Sequence, residues 1–181
     1  LFSGVLWESR DIALENIDRI EVIRGPGGTL WGANAVNGVI NIITKHTRDT
    51  LGSFAYVGGG TEERAFGGIR YGWQADDRQS ARISARIASR DQSYSPFGTV
   101  ADDWLMKRAG YRWDYQAGGG NDIMLSGDVY DGRAGQYFPP GNTSALPGAT
   151  DGEHRGGNVH LNWRRRLTDA GMLQVRAYYE R

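Results

Sequence analysis

Gly25-Pro26-Gly27, directly after an apolar run, is the one stretch whose spacing hints at nucleotide chemistry, and the residues that follow exclude it. A dinucleotide fingerprint needs a third glycine where this chain has Leu30, and it needs a long amphipathic helix that does not follow. A phosphate-binding loop needs Gly-Lys-Ser/Thr, and the chain has none. The three histidines, His46, His154 and His160, lack metal-ligand spacing. There are no cysteines, hence no thiolate chemistry and no disulfide frame. No nucleophile stands beside a base, and no carboxylates cluster in a catalytic pattern. Asp76-Asp77 and Asp102-Asp103 read as solvated turn and loop residues. The chain is read as no enzyme, with no cofactor and no metal.

What remains is binding chemistry. Two of the 21 basic residues are lysine (Lys45, Lys107), so nineteen are arginine. Arginine suits fixed, multidentate pairing inside a protein; a GC-rich genome gives the same bias. Arg82, Arg86 and Arg90 recur at even spacing, which on a strand puts all three on one face. Tyr137, Phe138, His154 and Arg155 lie in a stretch, 133–156, rich in Gly, Pro and Asp. Aromatics beside arginine could stack on or pair with an anionic ligand, or simply pack the loop on itself. Formal charge is zero, so nothing draws the chain to nucleic acid.

The elements that must carry these residues are strands. Residues 17–45 read as two β-rich runs, about 19–24 and 38–44, joined by the corner Arg24-Gly25-Pro26-Gly27-Gly28. Pro26 fixes φ and removes a donor, so the first strand must stop there. The glycines permit positive φ around it. Asn41, between Ile40 and Ile42, needs partners if buried. Residues 46–51 read as a polar connector. Seven segments with period-two alternation follow at 52–60, 64–75, 80–90, 104–117, 122–132, 157–167 and 172–180.

One face of these segments carries Ile83, Leu125, Leu161, Trp163 and Val175. The other carries Arg82, Arg86, Arg90, Asp128 and Arg176. Tight turns at 76–78, 118–121 and 168–171 alternate with longer loops at 91–103 and 133–156. Trp73, Trp113, Tyr115 and Trp163 lie near the turn ends. No apolar run approaches the ~20 residues a membrane helix needs, but alternating strands cross membranes without one. Two architectures fit: a transmembrane barrel, and a soluble β-sandwich binding module, which also alternates. The loop asymmetry favours the barrel.

The corner supplies a further argument. IDRIEVIRGP (17–26), Trp31-Gly32, Ala35 and GVINIITK (38–45) together resemble the signature that ends the plug domain of TonB-dependent outer-membrane receptors. The match covers about a sixth of the chain. It gives Arg24, Gly25, Pro26, Gly27, Gly32, Gly38 and Asn41 a structural role in the plug motif. The resemblance implies an all-β fold: a transmembrane antiparallel β-barrel, here a part of about seven strands, preceded by the end of a plug. Residues 1–45 would be the C-terminal part of the plug, 46–51 the connector and 52–181 the N-terminal part of the barrel.

An odd strand number fits a fragment, because bacterial single-chain barrels are even-numbered and plugged transporters have about 22 strands. The expected function is active uptake of a scarce, large nutrient across the bacterial outer membrane, a ferric siderophore foremost. TonB and its inner-membrane motor would drive it through a TonB box that this fragment lacks. The outer face would meet outer-membrane lipid. A structural or adhesive outer-membrane barrel without transport is the competing reading.

The arginine face then has two possible sets of partners. Glu8, Asp11, Glu15, Asp18 and Glu21 of the plug could pair with Arg82, Arg86 and Arg90. Equally, those arginines could face lumen water or carboxylates on neighbouring strands, such as Asp128 and Asp114. On the outer loop, Tyr137, Phe138, His154 and Arg155 could meet an anionic ferric chelate.

Overall fold

The computed structural model describes residues 12–32, 35–94, 102–138, 148–168 and 171–181. The run of Ile and Val forms β1 (Ile17–Arg24), which ends where Pro26 removes the next donor. The chain turns at Gly25, whose φ of +93° lies in the region that favours glycine. One turn of helix, α1 (Gly28–Trp31), follows and closes at Gly32. It is too short to leave an apolar period in the sequence, and the sequence reading missed it. Gly25 is the glycine of the corner that uses the positive φ open to it; Gly27 (φ −115°) and Gly28 do not.

β2 (Gly38–Thr44) returns antiparallel, from Arg24 opposite Gly38 to Ile17 opposite Thr44. Asn41 faces Glu21 across this hairpin and donates to its Oε2 at 3.0 Å. Arg19 donates to Oε1 at 2.8 Å. These two bonds, Arg19's the stronger, hold the Glu21 carboxyl below its ordinary range.

The remaining strands form one antiparallel sheet in chain order: β3 (Gly52–Gly58), β4 (Ala65–Asp76), β5 (Gln79–Arg90), β6 (Trp104–Gly118), β7 (Asn121–Phe138), β8 (Gly148–Arg166) and β9 (Met172–Glu180). Among the described residues the sheet does not close; β3 and β9 each pair on one side only. Asp76 accepts from the backbone N–H groups of Arg78 and Gln79 at 2.7 and 3.0 Å, which locks the β4–β5 turn.

β7 and β8 correct the sequence reading. They run well past 132 and start well before 157, and they stay paired from Asn121–Arg165 to Phe138–Gly148. Within the expected loop at 133–156, residues 133–138 and 148–156 are strand, and 139–147 lie outside the described residues. Tyr137, Phe138, His154 and Arg155 are therefore strand positions and not loop residues. The signal was lost because the outward positions change from Val129 to Asp131, Arg133, Glu153 and Arg155. The backbone ladder continues where the apolar alternation stops. Arg155 donates to Asp131 there at 3.0 Å, directly across the ladder.

The period of two sorts the two faces. Ile83 is 51 % exposed, while its neighbour Arg82 is 5 % exposed. Ile69, Tyr71, Trp73, Tyr111, Leu161 and Val175 share the open face with Ile83. Tyr71 stacks on Trp73 with ring centroids 5.9 Å apart, and Trp113 on Tyr115 at 5.4 Å, both pairs near the turn ends. The base of the β1–β2 hairpin is tied to the opposite, polar face: Asn16 and the Glu15 carbonyl, just before β1, reach Ser84 and Arg70, each at 3.3 Å, and Thr44 at the end of β2 accepts from Arg112 at 2.9 Å.

Candidate functional site

Register forces an electrostatic problem onto the polar face. Arg82 stands directly opposite Arg112, and Arg86 opposite Arg108. Like charges in directly opposed positions destabilise a sheet unless each finds its own partner. The chain solves this with backbone carbonyls, hydroxyls and carboxylates together. Arg82 donates to the Lys45 carbonyl at 2.7 Å and reaches Thr50 Oγ1 at 3.4 Å. Arg112 donates to the Thr44 carbonyl at 2.9 Å and to Thr44 Oγ1 at 2.7 Å. Its other nitrogens form a fork on Asp114, Nε to Oδ2 and Nη2 to Oδ1, both 2.9 Å. Arg108 binds Asp128 and lies over the Tyr130 ring at 4.9 Å.

The segment between β2 and β3 completes the arrangement. His46-Thr47-Arg48-Asp49-Thr50-Leu51 looks like an ordinary polar connector. Instead, Thr47–Thr50 form a tight 3₁₀ turn whose start is capped by His46 Nδ1, which accepts the Arg48 N–H at 3.2 Å. Thr47 is fully buried, and Thr50, Ser80 and Asp114 nearly so. Thr47 donates to Asp114 Oδ2 twice, from its backbone N–H at 3.0 Å and from Oγ1 at 2.9 Å. Thr47 Oγ1 and Ser80 Oγ lie 2.6 Å apart, and Thr50 Oγ1 donates to the Thr47 carbonyl at 3.0 Å. A buried polar group without a partner costs several kcal/mol on transfer scales, ~2–7 kcal/mol. Here the carboxylate, both threonine hydroxyls and the serine all have partners, so the cluster is a latch between the linking segment and β5–β6.

The predicted site residues fall as follows. Arg82 binds the backbone of the linking region and, among the described residues, no carboxylate of the hairpin. Arg86 reaches Tyr56 Oη at 3.4 Å, and Arg90 pairs with Glu62 at 3.5 Å. Asp128 pairs with Arg108 and accepts from Asn158 at 2.9 Å. Asp18 and Glu21 pair with Arg19 on their own strand. Glu8 and Asp11 lie outside the described residues. Arg24, Gly25, Pro26, Gly27, Gly32, Gly38 and Asn41 shape the hairpin. Arg155 is engaged by Asp131 and Glu153 on the opposite, outward face. Thr47, Thr50, Ser80 and Arg112 were missed as site residues. Their only signal was Asp114, a lone carboxylate in the row opposite Ser80 and beside Arg112.

A cavity of about 440 Å³ opens on the polar face away from the tight turns. Leu14 and Glu15 line it from the hairpin side, and Phe54, Phe66, Arg86 and Trp104 from the sheet. Glu15 and Glu63 stand in the same lining as Arg86 and Arg90, so the aromatic rings are flanked by both charges.

With this geometry in place, comparison with known proteins is specific. Residues 6–39 match the model of the TonB-dependent Receptor Plug Domain. The chain is 24% identical over 177 residues to the iron-regulated outer membrane virulence protein of Vibrio cholerae, covering 92% of this chain and 27% of that protein. It is 32% identical over 98 residues to the ferric enterobactin receptor of Pseudomonas aeruginosa, covering 51% and 12%. It is 48% identical over 46 residues to the vitamin B12 transporter BtuB of Vibrio vulnificus, covering 25% and 8%. The chain thus spans about a quarter or less of the length of these relatives.

Proposed function

We propose that this chain, part of a TonB-dependent receptor by its plug match and its relatives, serves TonB-dependent uptake of a ferric siderophore across the bacterial outer membrane. Its role is transport and not catalysis. The observation that carries the reading is the hairpin tied by its base to the polar face of an antiparallel sheet whose other face is apolar. That is what a plug inside a barrel wall requires. Residues 1–45 serve as the end of the plug, 46–51 as its connector and 52–181 as the first part of the wall. A barrel that only anchors or adheres gives the hairpin and its latch no purpose.

Iron is favoured over cobalamin because the two longer alignments, over 98 and 177 residues, are to proteins named for ferric enterobactin and for iron regulation. Titration of the purified full-length receptor with iron-loaded siderophores, metal-free siderophores and cobalamin tests this by tryptophan quenching. Saturable quenching by an iron-loaded siderophore is expected; saturation by cobalamin alone would overturn the substrate.

The membrane placement makes a separate prediction. Ile83 lies mid-strand on the apolar face, and Ile83→Arg in the full-length receptor should cost ~2–4 kcal/mol in lipid vesicles. Unfolding in lipid against wild type measures it. A cost below about 0.5 kcal/mol, the level of an ordinary surface change, would mean that this face does not meet lipid.

A further inference from the structure

The open, apolar face of the sheet is not uniform. Register places Ala55, Ile69, Ala85, Ala109, Val129 and Gly157 in one row across β3 to β8. The next row on the tight-turn side carries Tyr71, Ile83, Tyr111, Val159 and, on β9, Tyr179; Gly127 in that row lies under the Tyr111 ring. The first row is mostly alanine and glycine, so it is sunk beneath its neighbours except at Ile69 and Val129. A groove of about 1030 Å³ results on this face, with Tyr71, Tyr111 and Tyr179 along its wall.

The rows on the loop side change character. One runs Ile87, Lys107, Asp131, Arg155, and the one beyond it Leu105, Arg133, Glu153. Arg155 also lines the groove. Asp131 and Glu153 hold Arg155 at 3.0 and 3.7 Å. Among the described residues, Lys107 and Arg133 have no ion pair. The rim thus sets Lys107, Arg133 and Arg155 against two carboxylates, with Lys107 and Arg133 unpaired.

We infer that this groove is a site for one phosphorylated lipid of the outer leaflet, its acyl chain on the sunken row and its head-group phosphate on Lys107 and Arg133. This rests on the uptake reading above, which turns the apolar face to lipid and the loop end outward. Hydrophobicity alone cannot select such a lipid, because bilayer chains are as apolar as the protein surface they cover. Shape and charge can. A floor of small residues lets a chain approach the backbone closely, as small residues do between membrane helices. Arginine grips phosphate through two parallel bonds, and lysine adds a point charge. Basic clusters at a membrane boundary select charged head groups by the same chemistry.

Binding to the delipidated full-length receptor, in a non-ionic detergent, tests this by native mass spectrometry. The probes are bisphosphorylated lipid A, the same lipid with its phosphates removed, and inorganic phosphate. Lys107→Gln with Arg133→Gln removes the rim charge and leaves the Arg155 pairs intact. Ala85→Leu with Ala109→Leu fills the groove with side chains that a lipid-facing surface accepts, and siderophore binding checks that both variants fold. Wild type should hold one lipid A. Each double variant should bind it at least tenfold more weakly, as wild type should bind the dephosphorylated lipid. Unchanged binding in either double variant would overturn the site, the lipid then being an unselective shell. Displacement of lipid A by millimolar inorganic phosphate would overturn the lipid in favour of a phosphate site. The uptake reading fails by a different result, which is no TonB-dependent uptake by wild type; normal uptake without lipid selectivity sinks the groove alone.

Discussion

Asp114→Ala should loosen the linking segment more than any other single side-chain truncation in this chain. Asp114 is 6 % exposed and is the acceptor for both Thr47 donors and for the Arg112 fork. Removing one partner of a buried pair leaves the other charge uncompensated, at a cost of ~3–5 kcal/mol. Arg112 keeps its bonds to Thr44, which holds the loss within that range. In the full-length receptor, docking should weaken by about two to three and a half orders of magnitude, since ~1.4 kcal/mol is tenfold. Asp114→Asn keeps the shape and one acceptor oxygen but loses the charge. It should cost ~1.5–3 kcal/mol, the worth of a hydrogen bond to a charged group. Protease cleavage within 44–51, followed against denaturant, measures both variants. Wild-type protection in Asp114→Ala would mean that the cluster does not hold the segment.

Gly72→Val should be the second severe change, for a reason that has nothing to do with charge. A Cβ at Gly72 would meet the Thr50 carbonyl oxygen at 2.1 Å and the Leu51 Cα at 3.2 Å. Both are backbone atoms, so no flexible side-chain tip can move aside. Either β4 or the linking segment must shift, and β4 is held by ladders to β3 and β5 on both sides. The penalty sits at the upper end of the overpacking range, about 3 kcal/mol. Gly60→Ala is the matched control, because its nearest new contact is an ordinary 3.8 Å. Gly72→Val should lose the same protease protection as Asp114→Ala, and Gly60→Ala should keep it. Equal behaviour of the two glycine variants would refute the close approach.

The strands were legible because alternation survives wherever one face is apolar. Ile83 and Arg82 fall on opposite faces for that reason alone. The upper parts of β7 and β8 were not legible, because Asp131, Arg133, Glu153 and Arg155 replace the apolar residues while the ladder continues. The corner was readable from Gly25 and Pro26, whose backbone constraints are local. Its one-turn helix was not readable, being shorter than any periodic signal.

The latch was the hardest to see. Thr47, Thr50 and Ser80 are residue types common in exposed turns, and only the packing of sheet against linking segment buries them. The arginines posed the same difficulty. Arg82 turned out to bind a backbone carbonyl, and no residue type in the sequence marks such a partner.

The most direct test of the account is uptake of radio-iron siderophores by cells that express the full-length receptor containing this chain, with and without TonB. The account predicts saturable accumulation of at least one ferric siderophore when TonB is present, and accumulation at the background of receptor-free cells when it is absent. Equal accumulation in the two strains, or none with any ferric siderophore where cobalamin is taken up, would contradict it.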